Sequence, residues 1–239
     1  MRTRKNTPKR WIAGLSAALA LSLLLSSCLK DNKNYYAPPA AYVSFYQAIP
    51  NAQPLDIYFD NNKVNAIPIN YNDGIDYFKA YTGKRTVNIY SPGTTTKLFS
   101  DTIHLNPDIA YSLFLTNTMA NPSLLLLTDS ISQPAAGMAK IRFVDLSPDA
   151  PAVDFAVKDS TALVSNKSFK GSSTFIPIKG NSHYIFDVRQ KGTNTILATS
   201  TNLNLLAGFV YTIYFHGLVH SVSTNDKLAA DIVTNAYYY

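Results

Sequence analysis

Two stretches of the chain, one in each half, carry closely similar residues in the same order. Residues 41–56 (AYVSFYQAIPNAQPLD) align without a gap on residues 139–154 (AKIRFVDLSPDAPAVD). A copy of about a hundred residues is long enough to bury a hydrophobic core of its own, unlike the short units of a solenoid. The repeat therefore predicts two tandem domains, over residues 41–131 and 139–239, with the boundary in the Pro- and Gly-containing segment between them.

Both halves have the alternation of apolar and polar residues that is typical of β-strands. Val43 and Phe45 alternate with polar neighbours, and Ile141 and Phe143 repeat the pattern in the second half. Turn residues separate these runs, and no long segment after residue 30 has helical spacing. We therefore expect an all-β chain with six to eight strands per half, each strand with one buried and one solvated face. The expected architecture is two tandem β-sandwiches of the immunoglobulin or transthyretin type.

The N-terminus has the three parts of a bacterial export signal. Met1–Arg10 is basic, Trp11–Leu25 is apolar, and small residues precede the only cysteine of the chain. The end of this segment resembles the bacterial lipobox, and it consists of Leu25, Ser26, Ser27 and Cys28. The resemblance implies that residues 1–27 are a signal peptide and that Cys28 is lipidated. The alternative is an uncleaved anchor helix with an incidental cysteine.

The residues after Cys28 suggest where such a lipoprotein resides. Lys30 and Asp31 resemble the surface-export signal of lipoproteins in the Bacteroidetes, and residues 28–40 form the expected tether. This predicts a lipid-anchored protein of the outer membrane that faces the cell surface, with a periplasmic orientation as the alternative. Because the only cysteine is used for the anchor, no disulfide is expected.

The net charge of the expected mature chain is close to neutral. Five of the 21 Lys and Arg residues precede Cys28, whereas all 15 acidic residues follow it. Nucleic-acid binding requires a concentrated basic face, so we expect no nucleic-acid partner.

No arrangement of residues indicates catalysis or a cofactor. His216 and His220 lack the glutamate of a zinc-protease helix and flank a glycine, so we interpret them as turn residues. A serine nucleophile would require a positioned base and an oxyanion hole, and neither has a recognisable sequence context. We therefore expect a chain that is not an enzyme and uses no cofactor or metal. An enzyme would need a pocket in which Asp and His converge.

One motif in the second half resembles a known family. The run Leu-Ser-Pro-Asp-Ala-Pro-x-Val-Asp resembles the opening of the bacterial family catalogued as domain of unknown function 4397. The residues that carry this resemblance are Leu146, Ser147, Pro148, Asp149, Ala150, Pro151 and Asp154. The first half keeps only Pro50, Ala52 and Asp56, which makes it a diverged copy. The resemblance implies an exported or surface-anchored β domain and no particular activity.

The residues of the motif themselves favour a structural role. The two prolines rigidify the link between strands, Asp149 is expected to close a local turn, and Asp154 to bind backbone amides. The alternative is a calcium site formed by Asp145, Asp149 and Asp154, although ligands at tight alternate spacing are missing.

Two functional hypotheses remain open. The first is a non-catalytic lipoprotein whose sandwiches act in adhesion or bind a protein or envelope partner. The second is a glycan-binding accessory lipoprotein that uses some of the 16 tyrosines to hold sugar rings. A coplanar row of exposed aromatic rings would favour glycans, and an apolar patch would favour a protein partner.

Overall fold

The computed structural model describes residues 38–221 and 223–239. The lipobox residues Leu25 to Cys28 and the export-signal residues Lys30 and Asp31 lie outside the described residues. Pro39–Tyr239 forms one unit. Within the described ranges, no helix has the length and apolar character needed to cross a bilayer.

Strands dominate the described part of the chain. The first half contains β1 (Ala40–Gln47), β2 (Asp56–Phe59), β3 (Asn62–Lys63), β4 (Gly74–Tyr81), β5 (Gly83–Tyr90), β6 (Lys97–Leu105), β7 (Ala110–Thr118) and β8 (Asn121–Thr128). The second half contains β9 (Met138–Asp145), β10 (Val153–Val157), β11 (Ala162–Lys167), β12 (Ile176–Lys179), β13 (Ser182–Tyr184), β14 (Phe186–Gln190), β15 (Ile196–Thr199), β16 (Leu203–Leu205), β17 (Phe209–His216) and β18 (Ala229–Tyr237). A short 3-10 helix, Thr224–Asp226, precedes the last strand.

Each half pairs two four-stranded sheets. In the first half the sheets have the orders β4-β1-β7-β8 and β3-β2-β5-β6, and in the second half β12-β9-β17-β18 and β11-β10-β14-β15. The pairs β1–β7 and β9–β17 are parallel, and the other named pairs are antiparallel. A separate ribbon, β13–β16, gives the second half more strands than the predicted six to eight. These sheets confirm the predicted all-β class with β-sandwich domains.

Each sandwich has its own hydrophobic core. Fully buried Phe45 and Leu113 belong to the first core, and Phe143 and Phe155 to the second. The rings of Phe143 and Phe155 stack with their centroids 4.7 Å apart. Burying a large side chain of this kind contributes roughly 1.5–3 kcal/mol, which makes these alternating residues a main source of stability.

A third cluster joins the two sandwiches and corrects the expectation of one solvated face per strand. Its buried members are Tyr46, Ala48, Phe114, Val144, Leu146 and Tyr214. They lie on β1, β7, β9, β17 and the segments that follow these strands, so the sheets that contain these strands face each other. The central strands are therefore buried on both faces, like the strands of a parallel sheet covered on both sides.

Candidate binding groove between the two sandwiches

A groove of about 730 Å³ opens where the loops of the first sandwich meet the end of the second. Its walls come from three segments, which are the loop around Asn51, the turn Asn70–Asn72 and the stretch from Thr224 to Asp231, together with His216. Five side-chain amides line it, from Asn51, Gln53, Asn70, Asn72 and Asn225. Each amide both donates and accepts hydrogen bonds, so this wall suits a ligand rich in hydroxyl groups.

Three side chains from both sandwiches form a hydrogen-bonded relay in this groove. His216 Nε2 lies 2.9 Å from Asp231 Oδ2, and His216 Nδ1 lies 2.5 Å from the Tyr71 hydroxyl. Hydrogen bonding to His216 lowers the pKa of Asp231, so this carboxylate is ionised and only accepts. Nε2 therefore donates to Asp231, and Nδ1 is hydrogen-bonded to the Tyr71 hydroxyl.

Asn72 joins the turn Asn70–Asn72 to the second sandwich through two hydrogen bonds. Its Nδ2 donates to Asp231 Oδ2 over 2.7 Å, and its Oδ1 accepts from the Tyr214 hydroxyl over 2.5 Å. The φ angle of Asn72 is 67°, in the left-handed region that asparagine tolerates better than most residues. The turn thus presents Tyr71 and Asn72 side by side to the second sandwich.

One carboxylate at the groove is left without a partner. Asp226 is only 1% exposed, and neither of its carboxylate oxygens has a hydrogen-bond partner among the described residues. Burial, followed by the nearby charges of Asp226 and Asp231, raises the pKa of Tyr71. The Tyr71 hydroxyl therefore keeps its proton, which disfavours a role as a nucleophile.

A buried polar network beside the third cluster holds the two sandwiches together. Arg142 Nη1 lies 2.7 Å from Asp129 Oδ1, and Arg142 Nη2 donates to Ser112 Oγ and Thr212 Oγ1 over 3.1 and 2.9 Å. The Tyr77 hydroxyl donates to the other oxygen of Asp129, over 2.5 Å. Residues of both sandwiches thus surround one buried charge pair, which fixes their relative position.

The residues of the family motif are held by contacts with other segments of the chain. Leu146 belongs to the third cluster, and the Ser147 hydroxyl donates to the Gly217 carbonyl over 2.8 Å. Asp154 accepts from the amides of Asn166 and Gly192 over 2.8 and 2.9 Å. The remaining members, Pro148, Ala150 and Pro151, connect β9 to β10 at the surface.

Asp149 corrects the prediction of a local turn. Its carboxylate accepts from the amides of Val219 and His220, over 2.9 and 3.2 Å, so it supports the loop after β17 instead. Asp145 accepts from the Ser147 amide over 3.0 Å. These aspartates bind separate backbone amides, and within the described ranges no group of three or more acidic, His or Cys side chains could hold a metal.

The two histidines of the second half have different surroundings. His220 is exposed in a turn, as interpreted from the sequence, whereas His216 is buried as the last residue of β17. His216 and Asp231 thus converge at a pocket, which is the condition that the sequence set for an enzyme. Sequence reasoning missed Asn72 and Asp231, because their partners lie in the other repeat or on another strand.

The tyrosines are mostly structural. Tyr111 and Tyr211 occupy matching places and accept from the amides of Asn106 and Leu206, each over 3.1 Å. Tyr237 is more than half exposed, and its ring centroid lies 5.2 Å from that of the exposed Tyr239. These two rings are inclined by 63°, so they form no coplanar row.

A second cavity, of about 590 Å³, lies on the outer sheet of the second sandwich. Ala156 lines it at the place that corresponds to Tyr58 in the first sandwich, which leaves space above the sheet. The ion pair of Arg189 and Asp187, with 3.1 Å between Nη2 and Oδ2, also lines this cavity. The two outer sheets have therefore diverged although the turns beside them match.

The fold and the groove define a tandem β-sandwich protein whose two repeats share an interface of apolar and polar side chains. Residues 41–156 match the model of the family described as "Domain of unknown function (DUF4397)", which confirms the resemblance to that family. The match covers the first repeat and ends within β10, so it includes the motif Leu146–Asp154.

Comparison with solved structures identifies carbohydrate-binding modules at very low similarity. A family 41 module from streptococcal virulence factors is 11% identical, with a TM-score of 0.26, and the match covers 80% of this chain and 96% of that chain. The family 26 module of Eubacterium rectale Amy13K is 9% identical, with a TM-score of 0.25, over 82% and 95%. These values carry no argument about function. No curated protein matches the chain.

Proposed function

We propose that this chain is a non-catalytic, lipid-anchored binding protein of the outer membrane that captures carbohydrate in the groove between its sandwiches. The observation that carries the proposal is the convergence of five side-chain amides with Tyr71 and Asp231 around one groove of about 730 Å³. Sugar hydroxyls both donate and accept hydrogen bonds, and amides and carboxylates are the side chains that match them. The lipobox resemblance at Cys28 supports the anchor.

A binding role agrees better with the groove than catalysis does. The His216 relay ends at the Tyr71 hydroxyl, whose pKa is raised by burial and by two nearby carboxylates. An activated nucleophile requires the opposite shift. The relay instead joins a turn of the first sandwich to a strand of the second, so it shapes the groove.

The distribution of exposed apolar side chains favours a hydroxyl-rich ligand over a protein partner. The exposed aliphatic side chains Ile67, Leu98 and Val219 lie on different segments, whereas the exposed rings of Tyr237 and Tyr239 form a pair. Single exposed apolar residues are normal on a protein surface, whereas docking sites are contiguous. The polar groove is the more concentrated feature.

A glycan array probed with the full chain in mild detergent tests the proposal, with binding constants of hits measured by calorimetry. Exchange of the exposed amides, Gln53→Ala and Asn225→Ala, should weaken binding of a hit by about 3- to 10-fold each, the usual contribution of one hydrogen bond. Gln133→Ala, an exposed amide in the linker before β9, is the matched control. Absence of saturable binding by folded protein, or hits unaffected by both groove variants, would contradict the proposal.

A further inference from the structure

The four inner strands of the two sandwiches run in the same direction, so the molecule has two distinct ends. β1 is parallel to β7, and β9 is parallel to β17. Across the interface, Arg142 of β9 donates to Ser112 of β7. Further along the same strands, Thr116 donates to the Leu146 carbonyl, so β7 and β9 also share a direction. The strands therefore begin at one end, where the chain enters β1, and finish at the other, where His216 of β17 lines the groove.

The end where these strands begin, which we call the tether end, carries all four exposed tyrosines of the described residues. Tyr42 lies near the start of β1, Tyr81 pairs with Ala40, and Tyr237 pairs with the first residue of β17. These three tyrosines are 42%, 59% and 57% exposed, and the ring of the fourth, Tyr239, lies against that of Tyr237. An exposed aromatic ring with a hydroxyl group suits a boundary between an apolar phase and water.

Exposed lysines and a leucine lie at the same end. Lys79 is two residues before Tyr81 on β4, Lys84 follows the turn into β5, and Lys179 is the last residue of β12. Leu206, in the loop before β17, is exposed as well. Asp108 is the exposed acidic residue of the loop that contacts the start of β1, so positive charge predominates at the tether end.

The position of the expected anchor indicates which partner covers this end. Cys28 precedes Ala40 by twelve residues. A fully extended chain of that length spans at most about 43 Å, so a lipidated Cys28 holds the tether end nearer to the bilayer than the groove. Tyrosine is enriched where a membrane meets water, and anionic headgroups attract lysine. A lipid surface therefore fits both the aromatic rings and the charges.

From this arrangement we infer that the tether end lies against the membrane, with its tyrosines among the lipid headgroups, and that the groove faces away from the bilayer. The inference rests on the lipid anchor of the proposed function. It assigns the membrane contact to Tyr42, Tyr81, Tyr237 and Leu206, with the lysines as electrostatic support. The domain is thus held in one orientation on its tether instead of turning freely.

Tryptophan reporters in the full lipidated chain test this orientation. The only tryptophan of the sequence, Trp11, lies in the expected signal peptide, so the processed chain has no other fluorophore of this kind. The protein is placed in vesicles of phosphatidylcholine with about one quarter phosphatidylglycerol, with the phosphatidylcholine brominated near the headgroup or unbrominated. We expect the brominated lipid to lower the emission of Leu206→Trp and of Tyr237→Trp by at least about 2-fold. Val219→Trp, an exposed position after the other end of β17, is the matched control and should be unaffected.

A second set of variants tests whether the tyrosines cause the contact. In the Leu206→Trp chain, the double exchange Tyr42→Ser/Tyr81→Ser should remove at least about half of the quenching, because it removes two interfacial rings. Leu163→Ser/Ile196→Ser exchanges two exposed apolar residues of the second sandwich and should leave the quenching unchanged. Urea unfolding midpoints verify that each variant is folded.

The outcomes separate this inference from the proposed function. Mass spectrometry that finds acyl groups on Cys28, together with unquenched reporters at both positions 206 and 237, would overturn the membrane contact and leave an anchored carbohydrate-binding protein intact. Equal quenching of Val219→Trp would overturn the orientation. Unquenched reporters in a lipoprotein that cross-links as a dimer through the tether end would assign this surface to a second copy instead. An unmodified Cys28 would overturn both the anchor and the inference. If one reporter variant fails to fold, the other still decides the question.

Discussion

Arg142 and Asp129 form an ion pair across the interface of the two sandwiches, with 2.7 Å between Arg142 Nη1 and Asp129 Oδ1. Both side chains are almost completely buried, at 3% and 0% exposure. The geometry of this contact departs from that of a hydrogen bond, so its contribution is mainly electrostatic. The guanidinium also stacks over the Phe175 ring at 4.6 Å, which leaves it surrounded by protein.

Removing one member of this pair should destabilise the protein strongly. Arg142→Met leaves the Asp129 charge buried without its cation, and we expect the free energy of unfolding to fall by about 3–5 kcal/mol. The double variant Arg142→Met/Asp129→Asn removes both charges and should recover part of that loss. Urea unfolding followed by circular dichroism measures both. A loss below about 1 kcal/mol in Arg142→Met would show that the pair is not desolvated in solution.

The raised pKa of Asp145 predicts that the free energy of unfolding decreases as the pH rises. Burial raises its pKa to about 7, from an ordinary value of 3.8 that we take for the unfolded chain. Because the folded-state pKa is the higher one, the associated stability is complete below about pH 4 and is lost as the pH rises through about 7. This difference between the folded and unfolded pKa values corresponds to at most about 4 kcal/mol in the free energy of unfolding.

The first repeat suggests a variant that tests this pH dependence of the stability. Gln47 occupies the corresponding place with a neutral amide, and its Oε1 accepts from the Ile49 amide as Asp145 accepts from the Ser147 amide. Asp145→Asn should therefore raise the free energy of unfolding at pH 8 by a few kcal/mol and leave it nearly unchanged at pH 4. Equal effects at the two pH values would contradict the assignment.

The lowered pKa of Asp231 predicts that the free energy of unfolding decreases as the pH falls into the acidic range. Hydrogen bonding to His216 lowers this pKa from its ordinary value of 3.8. The stability it contributes is therefore complete above about pH 4 and is lost as the pH falls through the lower, folded-state pKa. Unfolding curves between pH 2 and 5 should show a shallower acid-dependent loss in Asp231→Asn than in the unaltered chain. His216→Gln serves as a comparison, since it removes the main cause of the shift.

The glycines of the two matching turns predict equal effects in the two sandwiches. Asp56 accepts from the Gly93 amide over 3.0 Å and Asp154 from the Gly192 amide over 2.9 Å, and both glycines have φ near +68°. Gly93→Ala and Gly192→Ala meet no atom within 4 Å but place a side chain in the left-handed region. Each substitution should lower the free energy of unfolding by about 1–2 kcal/mol.

Asp154→Ala should cost about as much as the loss of hydrogen bonds to a charged group, 1.5–3 kcal/mol, because it removes acceptors for two amides. Thermal unfolding compared between Asp56→Ala and Asp154→Ala measures whether the two turns are equivalent. A neutral effect of Asp154→Ala would contradict the structural role of the motif.

The sequence by itself determined the features that depend on neighbours along the chain. Alternation around Phe45 and Phe143 identified strands, because the side chains of a strand point to opposite faces with a period of two. Asp154 was identified as a ligand of backbone amides, because a short carboxylate beside a turn has few other partners. The internal repeat then indicated two sandwiches.

Only the tertiary structure decided how the sandwiches meet, and with it the groove. Tyr71 and His216 are 145 residues apart in the chain, and no local pattern relates them. The large apolar residues Tyr46 and Phe114, at positions expected to face solvent, were the signal that these strands have a second buried face. That signal shows that another surface covers these residues. It does not identify the surface, because hydrophobic burial has no preferred direction. The directional contacts of Arg142, Asn72 and His216 select it.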